Sequence, residues 1–465
     1  MNYRELTDVE INGLKELLPV GRVLLGEAIS PDYHRDELEN YTAIPQAVVR
    51  AESTEEVAMV MAYAYEQGIP VVVRGSATGL VGGVVPTAGG IVLDLTRMNA
   101  ISGLDPENLT VKAEAGVLLM DLAAFAEAHG FLYPPDPGEK SATIGGTIST
   151  NAGGMRAVRY GVTREYVLAL TVVLPNGEIQ QLGTPVVKTS SGLNLKELVI
   201  GSEGILCVVT EAVLKLIPRP EHTVSLLVPF EDIDAALAAV PGIITANTQP
   251  TAIEFMERAT LVYAEAYLRR RFPDTGSDAY LLLTFDGQTE AEVETNVQRV
   301  AELMLESGAV DVYLLDTEVR RRSVWSAREA LLLGIKASTT QMDECDVVVP
   351  RTELAAFLRY THELSERLNV RLPSFGHAGD GNLHVYICRD AMDDETWEAV
   401  QKEAFDAMYA KAKELGGQVS GEHGIGLAKR AYLAASVGEE QMELMRGIKR
   451  VFDPKGILNP GKVVS

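Results

Sequence analysis

Residues 135–161, PDPGEKSATIGGTISTNAGGMRAVRYG, constrain the fold of this chain more than any other stretch. Gly138, Gly145, Gly146, Gly153, Gly154 and Gly161 are interspersed there with Ser141, Thr143, Thr147, Ser149, Thr150 and Asn151. Glycine admits positive φ and lets a backbone come close to a ligand. Hydroxyls and free amides then supply donors to phosphate oxygens or ring heteroatoms. Gly and Ser are also common in plain loops, but this run is too long for one. A second such stretch, RGSATGLVGG from Arg74 to Gly83, follows Val71-Val72-Val73, a β-branched run that reads as a buried strand. The spacing of Gly75, Gly79 and Gly82 is not the G-x-G-x-x-G of a nicotinamide-binding Rossmann fold. In a third element, SEGILCVVTEAVLKLIP from Ser202 to Pro218, Gly204 leads into a β-rich run.

A chain of 465 residues has room for two or three domains with substantial cores. No apolar run reaches the ~18–20 residues of a membrane span, and the charged, amphipathic MNYRELTDVEINGLKELL lacks the apolar core of a signal peptide. Cys207, Cys345 and Cys388 are far apart in apolar runs, with neither a disulfide framework nor iron–sulfur spacing. The expectation is a soluble cytoplasmic protein. A net charge of −24 argues against nucleic acid and anionic membrane as partners. An anionic substrate would need locally placed cations, for which Arg74, Arg156, Arg159, Arg328 and Lys336 are candidates.

The first half reads as α/β. A helix is expected near Asp8–Leu18, followed by an irregular acidic DELEN segment, and Ser53 with Glu56 spells a capping box for a helix over Glu55–Gln67. Asn176-Gly177 between two apolar runs signals a hairpin. Pro218 and Pro220 mark a boundary. Strand and helix patterns alternate beyond it, with one helix expected over Glu318–Leu333. The expected organisation is a first domain over 1–218, a second over 219–417 and a C-terminal segment over 418–465 that ends FDPKGILNPGK.

Three of the seven histidines fall in two compact motifs, SFGHAGDGNLHVYI with His377 and His384, and SGEHGIG with Glu422 and His423. The turn through Gly379, Asp380, Gly381 and Asn382 can bring both imidazoles to one point. Two imidazoles and a carboxylate suit a divalent ion with positions left open for substrate. A hydrogen-bonded pair of core histidines is the alternative, and the second, Gly-flanked Glu-His pair favours the metal.

Together, the glycine loops and the histidine motifs resemble the vanillyl-alcohol-oxidase (PCMH-type) flavoproteins. Within them the closer likeness is to the FAD-linked D-2-hydroxyacid dehydrogenases: D-lactate dehydrogenases, glycolate oxidase flavin subunits and D-2-hydroxyglutarate dehydrogenases. The resemblance covers nearly the whole chain. It implies an α+β fold with a two-subdomain FAD-binding domain, an α/β cap domain built on an antiparallel sheet, and a C-terminal segment that returns to the FAD domain. It also implies His377, His384 and Glu422 as ligands of zinc, iron or manganese, His423 as the base, and Arg328 as partner of the substrate carboxylate. Hydride would pass from C2 of a metal-held 2-hydroxy acid to the flavin.

For FAD the resemblance points to Arg74, Gly75, Ser76, Ala77, Thr78, Gly79 and Leu80 in the first loop, and to Pro135, Asp136, Ser141, Thr143, Gly145, Gly146, Ser149, Asn151, Gly153 and Tyr160 in the second. Glu203, Gly204 and Ile205 would meet the nucleotide end, with Asn459 of the N-P-G-K motif near the flavin. The first loop has no histidine or cysteine, so attachment should be non-covalent. The D-2-hydroxyglutarate enzymes carry a lysine and an asparagine where this chain has Glu344 and Tyr386. An acid and a phenol cannot replace a cation for a distal carboxylate, which favours D-lactate or another short acid. Glycolate oxidase flavin subunit, D-2-hydroxyglutarate dehydrogenase and oxygen-using oxidase are the alternatives. The expected electron acceptor is a separate protein, electron-transfer flavoprotein first.

Overall fold

The computed structural model describes residues 5–38 and 40–464. Glu39 of the acidic segment, the first four residues and Ser465 lie outside the described residues. The chain divides into two units. The first comprises Met1–Gly153, Gly161–Arg219 and Glu422–Ser465; the second comprises Gly154–Tyr160 and Pro220–Gly421.

In the first unit, Val71–Arg74 is indeed a strand, parallel to Ile91–Asp94, which is parallel in turn to Ala47–Arg50. Val23–Leu25 completes this four-stranded sheet in antiparallel pairing. The C-terminal segment returns to the edge of the sheet: Val71 donates its amide to Ile457 O and Asn459 donates to Val71 O, at 2.8 and 2.7 Å. Helix Thr54–Gln67 covers the sheet through Val57, Val60, Met61 and Ala64, packed with Val49, Val71, Leu93 and Leu458. Its capping box is only half formed. Ser53 Oγ accepts from the Glu56 amide, but the Glu56 carboxylate is drawn to Arg22 and to the Glu52 amide instead of Ser53. A second, five-stranded sheet is wholly antiparallel, in the order Ile101–Asp105, Thr110–Glu114, Val208–Lys215, Val167–Val173, Ile179–Gly183. The last two strands form the hairpin signalled by Asn176-Gly177, and Gly177 has φ +88°, which glycine tolerates.

The second unit is built on a seven-stranded antiparallel sheet. Its order is Tyr313–Leu315, His222–Phe230, Ala279–Gly287, Ala252–Glu257, Ser374–His377, Asn382–Cys388, Met342–Val348. Met256, Tyr280, Leu282, Phe375 and Tyr386 pack on one face with Leu261 and Ala264 of helix Arg258–Leu268, and with Val324, Leu331 and Ile335. The single helix expected over Glu318–Leu333 is two, Glu318–Glu329 and Leu331–Ala337, parted at Ala330. A close approach lies just beyond the break. The second piece presses Gly334 onto helix Arg258–Leu268 so tightly that a Cβ there would lie 2.6 Å from the Tyr263 carbonyl carbon. No helix among the described residues is long and apolar enough to cross a membrane.

Candidate active site

In the first unit the two glycine loops are tied together. Ser76 Oγ donates to Ser141 O at 2.7 Å, and a Cβ on Gly75 would sit 2.1 Å from Thr143 Oγ1. Thr143 caps helix Ile144–Thr150, and Gly145 in that helix lies against Ala115, where a Cβ would come within 2.8 Å. Ala77 holds φ +61° and Glu203 φ +52°, a left-handed conformation that side-chain-bearing residues seldom adopt away from functional sites. Arg74 is a supporting group: Nη1 donates to Arg35 O at 2.8 Å, and the guanidinium lies over the Tyr33 ring.

Glu203 donates its amide to Ser149 O. Its carboxylate accepts from the Ile425 and Gly426 amides at 2.8 and 2.7 Å, so the side chain braces the SGEHGIG loop. Burial raises its pKa, and those two amides oppose the shift. Asn459 Nδ2 donates to Gly83 O and Glu203 O. Its Oδ1 is buried without a partner, as is Asp36 Oδ2, the atom nearest to a Cβ placed on Gly79, at 3.7 Å. Burial pushes the Asp36 carboxyl up to about 6. Buried acceptors rarely stand unsatisfied, and two of them beside loops shorn of Cβ atoms fit a polar, hydrogen-bonding cofactor. Asn151 Oδ1 accepts from the Arg164 amide, and Asp136 is ion-paired with Lys140. Tyr160 stands apart from the other residues of the second loop: it falls in the second unit and donates to Asp286 Oδ1 at 2.8 Å.

In the second unit the hairpin of Ser374–His377 and Asn382–Cys388 sets Phe375 opposite His384 and His377 opposite Asn382. Both histidines therefore project from the same face, with ring centroids 5.4 Å apart. The tight turn needs Gly381, at φ +86°, where a Cβ would meet Val349 O at 2.0 Å. His377 Nδ1 lies 2.8 Å from Glu254 Oε1, on the neighbouring strand in direct register. His384 Nδ1 lies 3.0 Å from Glu344 Oε1, which also accepts from Tyr386 OH at 3.0 Å. At His377 the carboxylate at Nδ1 keeps the proton there and turns the Nε2 lone pair outward, as metal-binding histidines require.

Arg328 is no exposed helix charge. It is buried, donates Nε and Nη2 to Glu254 Oε2 at 2.9 and 2.6 Å, and stacks on Phe375. Burial alone would raise the Glu254 pKa; His377 and Arg328 outweigh it and hold the carboxyl below its usual value. Asp346 accepts from Asn382 Nδ2, from Ser420 Oγ and from the Gly421 amide, so it fixes the chain immediately before Glu422. His377 and His384 set two imidazoles on one face of the sheet, a donor pair suited to a divalent ion. Glu344 adds a carboxylate oxygen beside His384. The mixed nitrogen and oxygen donors fit zinc, iron(II) or manganese.

A family profile described as FAD binding domain matches residues 45–183, and one described as FAD linked oxidases, C-terminal domain, matches residues 219–463. This chain belongs to the FAD-linked oxidase family. This FAD-linked oxidase is of the D-lactate dehydrogenase/glycolate oxidase type. It is 49% identical over 467 residues to the D-lactate dehydrogenase of Anaerostipes hadrus, a match covering 99% of this chain and 98% of the relative. It is 39% identical to the glycolate oxidase subunit GlcD of Bacillus subtilis (strain 168), over 93% of this chain and 91% of that one. p-Cresol methylhydroxylase with substrate bound shares the fold, with a TM-score of 0.80 at 18% identity, over 99% of this chain and 98% of that chain. The architecture is thus the PCMH-type FAD-binding one with an α+β cap. The FAD-linked oxidase is an FAD-dependent oxidoreductase, and its glycine loops lie in the part matched as FAD-binding.

Three residues escaped sequence reasoning: Glu254 and Asp346 in the second unit, and Asp36 in the first. The signal for the first two was a carboxylate inside an apolar strand, in AIEFME and in CDVVV.

Proposed function

We propose that this FAD-linked oxidase oxidises a short D-2-hydroxy acid, D-lactate before others, to the 2-oxo acid. The observation that carries the reading is the pair His377 and His384 on one face of the sheet, each with a carboxylate oxygen within 3.0 Å of Nδ1. The names of the relatives, D-lactate dehydrogenase and glycolate oxidase subunit, support the substrate class. Arg328 pairs with the substrate carboxylate. His423 takes the proton of the C2 hydroxyl as general base. FAD supplies the acceptor for the hydride, so two electrons and one hydrogen leave C2 while its oxygen becomes a carbonyl. A divalent cation held by His377, His384 and Glu422 would supply Lewis acidity toward the hydroxyl. FAD is held without a covalent bond by the two glycine loops, Glu203 to Ile205 and Asn459. Glu344 and Tyr386, hydrogen-bonded to each other, offer no cation for a second, distal carboxylate, which favours a monocarboxylate.

A panel of 2-hydroxy acids, read by anaerobic bleaching of the flavin, tests this. D-lactate should bleach it fastest, L-lactate should fail, and D-2-hydroxyglutarate should be slow. Fastest bleaching by the dicarboxylate would overturn the substrate assignment.

Electrons then leave to an external protein, with electron-transfer flavoprotein favoured and an iron–sulfur subunit of the glycolate oxidase kind second. The net charge of −24 favours a basic docking patch on that partner, so reoxidation by it should slow as salt rises. Rapid reoxidation by oxygen alone, with no response to electron-transfer flavoprotein, would contradict this.

A further inference from the structure

We infer that Glu254 is a single positioning residue for both halves of substrate recognition: it aims the metal-binding histidine and presents the carboxylate-binding arginine. The inference rests on the reading above, in which His377 ligates a cation and Arg328 pairs with substrate. Glu254 is fully buried on strand Ala252–Glu257, and its two oxygens lie 2.8 and 3.0 Å from His377 Nδ1. Oε2 also accepts from Arg328 Nε and Nη2.

Each contact restricts one functional group. At His377 the carboxylate accepts a proton from Nδ1, and only the tautomer with an Nε2 lone pair satisfies it. At Arg328 the bonds occupy the side-on edge of the guanidinium, formed by Nε and Nη2. The end-on edge, across Nη1 and Nη2, is the one left for a carboxylate, because a planar guanidinium offers a two-donor fork on each edge. Phe375, 4.6 Å from the Arg328 guanidinium carbon to its ring centroid, covers one face and fixes the plane. One buried side chain therefore sets the direction of two groups from different elements, and disturbing it disturbs both. A buried ion pair kept for stability alone gives little over an apolar substitute, which makes this arrangement a poor device for strength and an effective one for aim.

Glu254→Gln tests the coupling. An amide cannot accept from all three N–H groups. Turned one way, its NH2 faces His377 and forces the ring into the tautomer with Nε2 protonated. Turned the other way, it faces Arg328 and breaks the side-on pair. The expected result is metal affinity lowered ~10–100-fold, the range for losing an outer partner of a histidine ligand, with a raised KM for D-lactate and an unchanged FAD content. Metal affinity is read by competition with a chelator, alongside the parent and His377→Ala. If the parent binds no metal, the metal reading fails and this inference with it. If the parent binds metal and His377→Ala loses it, while Glu254→Gln keeps parental metal affinity and parental KM, the metal reading stands and the role of Glu254 is overturned. Should the Gln variant not accumulate as folded, FAD-loaded protein, Glu254→Asp keeps the charge and shortens the reach. The same paired loss is expected there, and parental values would overturn the inference equally.

Discussion

His423→Asn should reduce flavin bleaching by D-lactate ~10²–10⁴-fold, the usual cost of losing a general base, with FAD content unchanged. Asparagine keeps a polar side chain of similar reach but cannot take a proton at neutral pH. The loop that carries His423 is anchored independently of the imidazole. Asp346 holds the Gly421 amide before it, and Glu203 holds the Ile425 and Gly426 amides after it. The substitution should therefore remove the chemistry without moving the backbone. Rapid mixing of the oxidised variant with D-lactate under anaerobic conditions reads the chemical step alone. A variant that bleaches at the parental rate would rule His423 out as the base.

Gly75→Val should abolish FAD retention, leaving a colourless protein where the parent is yellow. A Cβ at Gly75 would sit 2.1 Å from Thr143 Oγ1 and 3.1 Å from Thr143 Cβ and Cγ2. Two more methyl groups leave the pair no way to relax without parting the loops. Parting them breaks the Ser76–Ser141 bond and disturbs the Thr143 cap of helix Ile144–Thr150. The flavin-to-protein absorbance ratio measures the loss, and far-ultraviolet circular dichroism checks that the chain stays folded. A folded variant with parental flavin content would show that these loops are not where FAD is held.

These predictions draw on features that differ in how plainly the sequence carries them. The glycine loops were legible because the requirement is on the backbone, and glycine is how a sequence writes such a requirement. The histidine pair was legible because a tight turn between two short strands keeps its members close along the chain. Glu254 was not, since its partners are 74 and 123 residues away, at Arg328 and His377. A charged residue in an apolar strand announces that some partner exists, without saying which. Arg328 could be recognised only by likeness; its side-on pairing came from the fold. Local rules also failed where tertiary contacts prevailed. Glu56 left its expected capping role because Arg22 competes for the carboxylate. The helix beyond Glu318 broke at Ala330, where the following segment is pressed onto helix Arg258–Leu268.

Metal removal tests the central claim, that His377, His384 and Glu422 assist an FAD-dependent oxidation of a 2-hydroxy acid, most directly. The enzyme would be treated with a chelator, its metal and FAD contents measured, and the protein mixed anaerobically with D-lactate. The account predicts that flavin stays bound and oxidised in the metal-free enzyme, and that zinc, iron(II) or manganese restores bleaching. It also predicts that His384→Ala, with FAD retained, shows no restoration. A metal-free enzyme that bleaches as fast as the untreated one would contradict the account.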